Sequence, residues 1–296
     1  MTDPSAEASR RAFAALVRRP ASEIDLVRAA LLIARGAYPA LDEAACYAAL
    51  DDWGRQVRAR LPAAGVATPH APLSPRAVLD VLNEVLIAGA GFHGNVDDYY
   101  DPRNSYLNEV IARRTGIPIS LALVYIAVAR RAGLRLHGVA LPGHFLVGYR
   151  TPGLERAGTA GALYLDPFNG ATIRSGADCI AWFRQAHLAG RPFLRHWLDP
   201  VPPRPFLIRL LNNLKAVYLE REDWAAAVSI LGYLLAANPR GHDNRRLRGL
   251  LYFRLGAFLP ALADLQAYLR AAPDPDDAEQ IGYYLHLLQY LLVAAN

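Results

Sequence analysis

Cysteine is scarce in this sequence, because Cys46 and Cys179 are the only two in 296 residues. Two thiols so far apart along the chain provide neither a disulfide framework nor the paired spacing of a zinc site. We therefore expect both to be small buried hydrophobic side chains, and we expect neither a metal nor a cofactor.

Lysine is scarcer still, since Lys215 is the only one. The formal net charge of +5 therefore comes from arginines that are scattered along the chain. Nucleic-acid-binding domains cluster their basic residues on one face or along one helix. The scattered pattern argues against a specific nucleic-acid partner.

Long apolar runs are also missing from the sequence. The longest nearly apolar stretch, Pro118 to Ala129, is shorter than the roughly 20 residues that a membrane-spanning helix needs. The first residues, MTDPSAEASRR, contain no apolar region typical of a secretory signal. These features predict a cytoplasmic protein without a membrane-spanning helix.

What the sequence has is 53% hydrophobic and 20% charged residues, a balance that suits a globular chain with a substantial core. Its periodicity changes from helical, to a helix followed by strands, and back to helical. We therefore expect an α+β fold with three parts. They are a helical part at residues 1–115, a buried helix with a small antiparallel sheet at 116–200, and an all-α array at 201–296.

Residues 1–115 have mainly helical periodicity. Ser22 is positioned to cap an early helix, and Ser74, which precedes a proline, is typical of a later helix start. The stretch from 61 to 73 is rich in Pro, Ala and Gly and indicates a loop. Asn104 is positioned to cap a further short helix.

The segment before that short helix is acidic, with Asp97, Asp98 and Asp101 close together. It lacks the ligand spacing and the glycine of a calcium loop, so we interpret these residues as turn formers and caps. Its other polar and aromatic residues either line a cleft or only brace the loop: Phe92, His93, Asn95 and Tyr106.

Residues 116–200 begin with Pro118 at the start of a helix that is apolar nearly all round, which indicates burial on most sides. Three short runs rich in branched and aromatic residues follow, namely LRLHGVAL, HFLVGYR and ALYLDPF. Turn signals separate them, including a long one from Thr151 to Gly161. The pattern predicts consecutive antiparallel strands against the buried helix.

Residues 201–296 contain a repeat with a period of 34. This offset aligns Ala227 with Ala261 and Pro239 with Pro273. The period, the small central Ala and the closing Pro are typical of tetratricopeptide helix pairs. Residues 277 to 295 form one more predicted helix, which we expect to cover the open end of the stack.

Three residues of the middle part have the chemistry of a catalytic triad. Ser120 lies at the start of the buried helix, where backbone N–H groups stabilise an anion. His144 begins one predicted strand and Asp166 ends the next, so that Asp166 can hold the imidazole in one tautomer. Each also has an ordinary structural interpretation: Ser120 as a helix N-cap, His144 as a core histidine and Asp166 as a turn former.

The segments NSYLNEVIARRTGIPISLALVYIAVARRAGL, GVALPGHFLVGY and YLDPFNG resemble the bacterial transglutaminase-like family with C-terminal tetratricopeptide repeats, often labelled the SirB type. The resemblance spans residues 24 to 290. It implies a transglutaminase-like, papain-like core followed by repeats. It also implies a Cys-His-Asp triad, in which Ser120 stands at the cysteine position and His144 and Asp166 at the other two. Members of this family commonly lack the cysteine.

Two functions are open at this point. In the first, a catalytically degenerate transglutaminase-like domain and the repeats bind a protein or peptide partner at the cleft or the helical surface. In the second, a hydrolase or acyltransferase uses Ser120 as nucleophile, His144 as base and Asp166 as orienter. Serine ionises less readily than cysteine, which favours the first. A third, weaker hypothesis is a structural adaptor with a closed cleft.

Overall fold

The computed structural model describes residues 4–61, 74–150, 161–186, 192–271 and 277–294. They form two compact units. The core unit comprises residues 25–34 and 40–206, and the repeat unit comprises residues 1–24, 35–39 and 207–296. The α+β fold class is confirmed, with a mostly helical chain, small sheets and a C-terminal helical array.

Helices account for most of both units; they are numbered in chain order, with short 3₁₀ turns left out. In the core unit they are α2 (Leu26–Arg35), α3 (Glu43–Arg60), α4 (Pro75–Asn83), α5 (Leu107–Arg113), α6 (Pro118–Arg131) and α7 (Gly176–Ala186). In the repeat unit they are α1 (Pro4–Val17), α8 (Pro203–Glu220), α9 (Trp224–Ala237), α10 (His242–Arg254), α11 (Phe258–Ala271) and α12 (Ala278–Ala294). Helix α8 begins in the core unit, and most of its length belongs to the repeat unit.

The predicted antiparallel sheet is present in the core unit. Its strands are β3 (Leu136–Leu141), β4 (His144–Tyr149), β5 (Leu163–Asp166) and β6 (Thr172–Ser175), paired in that order. Two shorter strands, β1 (His93–Gly94) and β2 (Thr115–Gly116), pair in parallel. The fourth strand of the larger sheet and the helix α7 after it were not predicted from the sequence.

The larger sheet lies between two helical layers. One face, which carries Val139, Leu146 and Tyr164, packs against Cys179 of α7 and against Leu198. Helix α6 also packs against β3 and β4. The cluster on the first face contains no residue of α6 among those described, so α6 packs on the other face, because side chains alternate between faces along a strand.

Two predicted helix caps are wrong. Ser22 lies in a 3₁₀ turn, and α2 starts only after Asp25, whose carboxylate accepts from the backbone N–H of Arg28 at 3.0 Å. Asn104 ends a 3₁₀ turn, and the N-cap residue of α5 is Tyr106. In both places the expected residue lies a few positions too early in the chain, because a 3₁₀ turn intervenes before the helix.

The other helix predictions mostly agree with the structure. Ser74 precedes α4, with Pro75 at its first position, and α4 continues as a π-helix at Glu84–Gly89. The π-helix was not anticipated. Most of the loop predicted at 61–73, and most of the turn predicted from Thr151 to Gly161, lie outside the described residues.

The helix pairs of the predicted repeats are present as α8–α9 and α10–α11, and α12 follows them. The central alanines Ala227 and Ala261 are fully buried. Gly249 permits a close crossing, because a Cβ there would lie 2.7 Å from Cδ2 of Leu265 on α11. Lys215 takes the equivalent place in the first pair and donates to Oδ1 of Asn244 at 3.0 Å.

Helix α1 belongs to the repeat unit although it lies at the other end of the chain. The rings of Phe13 on α1 and Tyr233 on α9 meet edge to face, 5.2 Å apart. The first helix is thus held by the array through an aromatic contact. The division of the chain at 115 and 200 stays a prediction.

Candidate functional site

The start of α6 positions Ser120. Ile117 is extended and serves as the N-cap residue, Pro118 occupies the first helical position, and Ser120 is third. Proline suits the first position because its missing N–H has no partner there anyway. Ser120 is therefore not the N-cap residue that the sequence suggested. Its side chain still caps the helix, because it accepts a hydrogen bond from the backbone N–H of the N-cap residue, Ile117.

The hydroxyl of Ser120 makes all its hydrogen bonds with the backbone. Oγ accepts from the N–H of Ile117 at 3.0 Å. Its hydrogen points to the carbonyl oxygen of Asn104 at 2.5 Å, with the carbonyl of Ile117 at 3.1 Å as a second acceptor. The side chain is buried. Because a hydroxyl has one hydrogen to donate, that hydrogen is fully committed to the backbone.

His144 and Asp166 do come together, as the sequence predicts. Nε2 of His144 lies 2.8 Å from Oδ2 of Asp166, and their side chains are only 8% and 1% exposed. We refer to them as the dyad. Asp166 also accepts from Nδ2 and the backbone N–H of Asn169, at 2.8 and 3.2 Å. The carboxylate is therefore well supplied with donors.

The pKa of Asp166 is lowered from its ordinary value of 3.8. Burial alone would raise it, but the contacts with His144 and the hydrogen bonds from Asn169 outweigh burial. Asp166 is therefore ionised at neutral pH and can orient the imidazole.

Within the described residues, no hydrogen bond joins the Ser120 hydroxyl to the dyad. Both members of the dyad fall on the sheet face of Leu146 and Tyr164, which α7 covers, because residues 144 and 146, and 164 and 166, share a face. Ser120 lies at the start of α6, which packs on the other face. That its side chain points toward the imidazole stays a prediction. Among the described residues, the only partners of its hydroxyl are the backbone atoms of Asn104 and Ile117.

Asn104 organises the loop before α5. Its Nδ2 donates to the carbonyl oxygens of Asp98 and Tyr99 at 2.7 and 3.2 Å. Its Oδ1 accepts from Nδ2 of Asn95 at 3.0 Å. Together with the bond from Ser120 to its own carbonyl, these contacts tie the 95–104 loop to the start of α6.

Asp101, one of the acidic residues of this loop, has the capping role that the sequence indicated. Asp101 is buried, accepts from the backbone N–H of Arg103 at 2.9 Å, and pairs with the guanidinium groups of Arg103 and Arg113. His93 braces the loop, with Nδ1 3.0 Å from the carbonyl of Gly91 and Nε2 3.1 Å from the hydroxyl of Thr115.

A chain of hydrogen bonds from α6 and α4 supports the turn that follows Asp166. Oη of Tyr125 donates to Oδ1 of Asn83 at 3.0 Å, and Nδ2 of Asn83 donates to the carbonyl of Ala171 at 3.0 Å. Ala171 ends the turn that begins at Asp166 and has a positive φ of 55°. Helices α4 and α6 thus fix the turn that supplies Asn169.

Aromatic rings surround the dyad. Trp182 on α7 lies 5.1 Å from the ring of His144, and Phe168 lies 6.4 Å from it. Phe168 in turn contacts Tyr99 of the loop at 5.9 Å. Neither Trp182 nor Phe168 was predicted from the sequence, although the helical spacing of Cys179, Trp182 and Phe183 could have revealed the apolar face of α7.

Metal sites and membrane-spanning helices each have a recognisable geometry. Within the described ranges no group of three or more His, Cys, Asp or Glu side chains is arranged to hold a metal ion. None of the described helices is long and apolar enough to cross a membrane.

Comparison with known proteins gives two family matches. Residues 44–212 match the model of the transglutaminase-like superfamily, and residues 214–285 match a tetratricopeptide repeat model. No solved structure matches the chain.

Curated relatives come from bacteria and animals. A UPF0162 protein of Xylella fastidiosa (strain Temecula1) is 38% identical over 88% of this chain and 89% of its own length. A UPF0162 protein of Pseudomonas aeruginosa is 29% identical over the same shares. F-box only protein 21 of Pongo abelii is 30% identical over 72% of this chain but only 34% of its own length.

We predict that Ser120→Ala destabilises the protein by about 1–3 kcal/mol, because the buried carbonyl of Asn104 and the N–H of Ile117 each lose a partner. Urea unfolding at neutral pH measures this. The exposed Ser22 is a matched control, and Ser22→Ala should change the free energy of unfolding by less than about 0.5 kcal/mol. Equal values for the two variants would show that the Ser120 hydroxyl has no structural role.

We also predict a pH effect from Asp166. Its pKa in the folded protein lies below 3.8, so the stability it contributes is complete above its unfolded pKa and is lost as the pH falls through the folded value. Asp166→Asn removes this titration. The free energy of unfolding should therefore fall less between about pH 6 and about pH 3 than in the wild type. Ser120→Ala, which removes no titrating group, should keep the wild-type fall, and an unchanged fall in Asp166→Asn would contradict the assignment.

Proposed function

Because this chain belongs to the transglutaminase-like superfamily, we propose that it is a catalytically silent member that binds a protein or peptide partner in the cytoplasm. One observation carries the proposal: every hydrogen bond of the Ser120 hydroxyl goes to the backbone. Two free cysteines, both buried, fit a reducing compartment.

The chemistry of a serine nucleophile explains why this bonding pattern matters. A serine hydroxyl becomes nucleophilic only when a base within hydrogen-bond reach takes its proton. Here Oγ of Ser120 donates to the carbonyl oxygen of Asn104 at 2.5 Å, and a carbonyl cannot act as a base. His144, the candidate base, lies on the sheet face opposite α6. An attack by Ser120 would first require its hydrogen bonds with the backbone to break.

Recognition is supported by the 95–104 loop. Its exposed apolar side chains are Val96, Tyr99 and Tyr100, and Tyr100 is 54% exposed. The hydrogen bonds of Asn104 hold the backbone of the loop in place. Aromatic side chains on a preorganised backbone bind with little loss of conformational entropy. Phe168 connects Tyr99 to His144, so that this surface adjoins the dyad.

The domain combination supports the same function. Tetratricopeptide arrays present helical surfaces on which peptides bind, and residues 214–285 match such a repeat. F-box only protein 21 of Pongo abelii contains a related stretch in only 34% of its length. A stretch that recurs as one part of longer proteins is typical of a module.

A hydrolase or acyltransferase is the second candidate, and the dyad favours it. The contact of His144 with Asp166 at 2.8 Å is the arrangement that orients a general base. A fluorophosphonate probe separates the two candidates, because it labels only activated serines.

We predict that the probe does not label the wild-type protein at Ser120, as measured by intact mass and peptide mapping. Ser120→Ala provides the background, and a known serine hydrolase in the same reaction provides the positive control. Labelling of the wild type that is lost in Ser120→Ala would overturn the silent-domain proposal and establish the hydrolase.

We predict that the loop surface selects peptides. The purified protein is used to select from a random peptide phage library, and binding of the enriched peptides is measured by calorimetry. Tyr100→Ser should lower the affinity for the enriched peptides at least about tenfold, since an aromatic anchor that becomes buried on binding contributes this much or more. Leu194→Ser, an exposed apolar site of the core unit outside the loop, is the matched control. Enriched peptides that bind both variants equally, or no enrichment at all, would exclude the loop as the binding surface.

A further inference from the structure

The last described helix has two apolar faces. Helix α12 packs within the array through Ile281 and Leu288, which are fully buried. The opposite face carries Tyr283, His286, Leu287, Tyr290 and Val293, which we call the outer stripe. Of these, Tyr283, Tyr290 and Val293 are 67%, 71% and 77% exposed. The outer face of a terminal helix in such an array is normally polar, so this stripe needs an explanation.

The position of the stripe in the repeat shows what kind of surface it is. Residue 283 lies one 34-residue period after Gly249, the residue of α10 that packs against Leu265 of α11. Helices α10 and α11 are joined by a short turn and therefore run antiparallel. In the preceding repeat, the equivalent surface of α10 is covered by the antiparallel second helix, α11. The outer stripe of α12 therefore corresponds to a surface that a second helix covers. The described part of the chain contains no helix that packs there.

We propose that the outer stripe is covered by α12 of a second copy of this chain, with the two helices antiparallel about a two-fold axis. The axis passes between positions 286 and 287. Tyr283 of each copy then lies beside Tyr290 of the other copy. This follows because the two residues share one face of the helix, one heptad apart, with the axis midway between them. The arrangement is self-complementary, as a two-fold interface requires.

The charge of the helix is compatible with self-pairing. Glu279 is the only residue of α12 that carries a formal charge, and it lies at the start of the helix. Antiparallel pairing places the two Glu279 side chains at opposite ends of the contact, about 22 Å apart for a rise of roughly 1.5 Å per residue. Like charges therefore do not meet, and the uncharged stripe offers nothing to attract a charged partner.

The area of the stripe predicts a weak dimer. A buried aromatic side chain removes about 150–250 Å² from solvent. The total area buried by both copies is on the order of 1,000 Å², when each copy contributes its two tyrosines, Leu287 and Val293. This area lies at the lower end for specific complexes. The dimer should therefore form only at higher protein concentration.

Sedimentation velocity of the full chain over about 1–300 µM tests the proposal. The wild type should shift from monomer to dimer across this range. The double variant Tyr283→Glu/Tyr290→Glu should stay monomeric, and Tyr283→Phe/Tyr290→Phe, which keeps the apolar area, should dimerise. Circular dichroism checks that each variant is folded. A wild type that is monomeric throughout, or a glutamate variant that dimerises as well as the wild type, overturns the proposal.

Cysteine cross-linking tests the orientation independently. The two native cysteines are buried, so that an introduced exposed thiol dominates the reaction. Under mild oxidation His286→Cys should form a disulfide-linked dimer, because position 286 lies beside the axis. Glu279→Cys should not, because its two copies are far apart. Cross-linking at position 279 in preference to 286 would exclude the antiparallel pairing.

Discussion

The hydrogen bond from Ser120 to the carbonyl of Asn104 joins two parts of the core unit on which the site depends. On one side, Ser120 fixes the start of α6 through the N–H of Ile117. On the other, Asn104 fixes the 95–104 loop through Asp98 and Tyr99. All these groups are buried or partly buried, where an unmade hydrogen bond costs far more than a made one gains. The loop therefore keeps its shape only while α6 begins where it does.

The persistence of the dyad has a physical explanation that does not require catalysis. Asp166 is buried and ionised, and a buried carboxylate without donors is costly. Asn169 supplies two of those donors, and the imidazole of His144 lies 2.8 Å away. Removing either partner would leave a poorly compensated charge in the core. This destabilises a protein more than replacing the whole pair by apolar residues does. The dyad thus has a structural role that is independent of catalysis.

The sequence predicts most of this fold because periodicity and turn chemistry are local. The three strands with branched residues, the buried helix after Pro118 and the 34-residue repeat all follow from such patterns. Strand β6 was missed because Thr172–Ser175 is short and partly polar. Asn104 was assigned to the wrong role because its partners, Asn95 and Ser120, approach it only in the folded chain. The dyad was predictable from strand order, whereas the backbone partners of the Ser120 hydroxyl were not.

Serine and cysteine at this helix start would differ in more than acidity. A thiol is a weak hydrogen-bond donor and acceptor, so a cysteine here would hold the carbonyl of Asn104 and the N–H of Ile117 poorly. A hydroxyl satisfies both at 2.5 and 3.0 Å. Serine at this position therefore makes a connection between α6 and the loop that carries Tyr99 and Tyr100, which a cysteine would make poorly. If the protein is catalytically silent, as proposed, the same oxygen atom accounts both for the weak nucleophile and for the fixed loop.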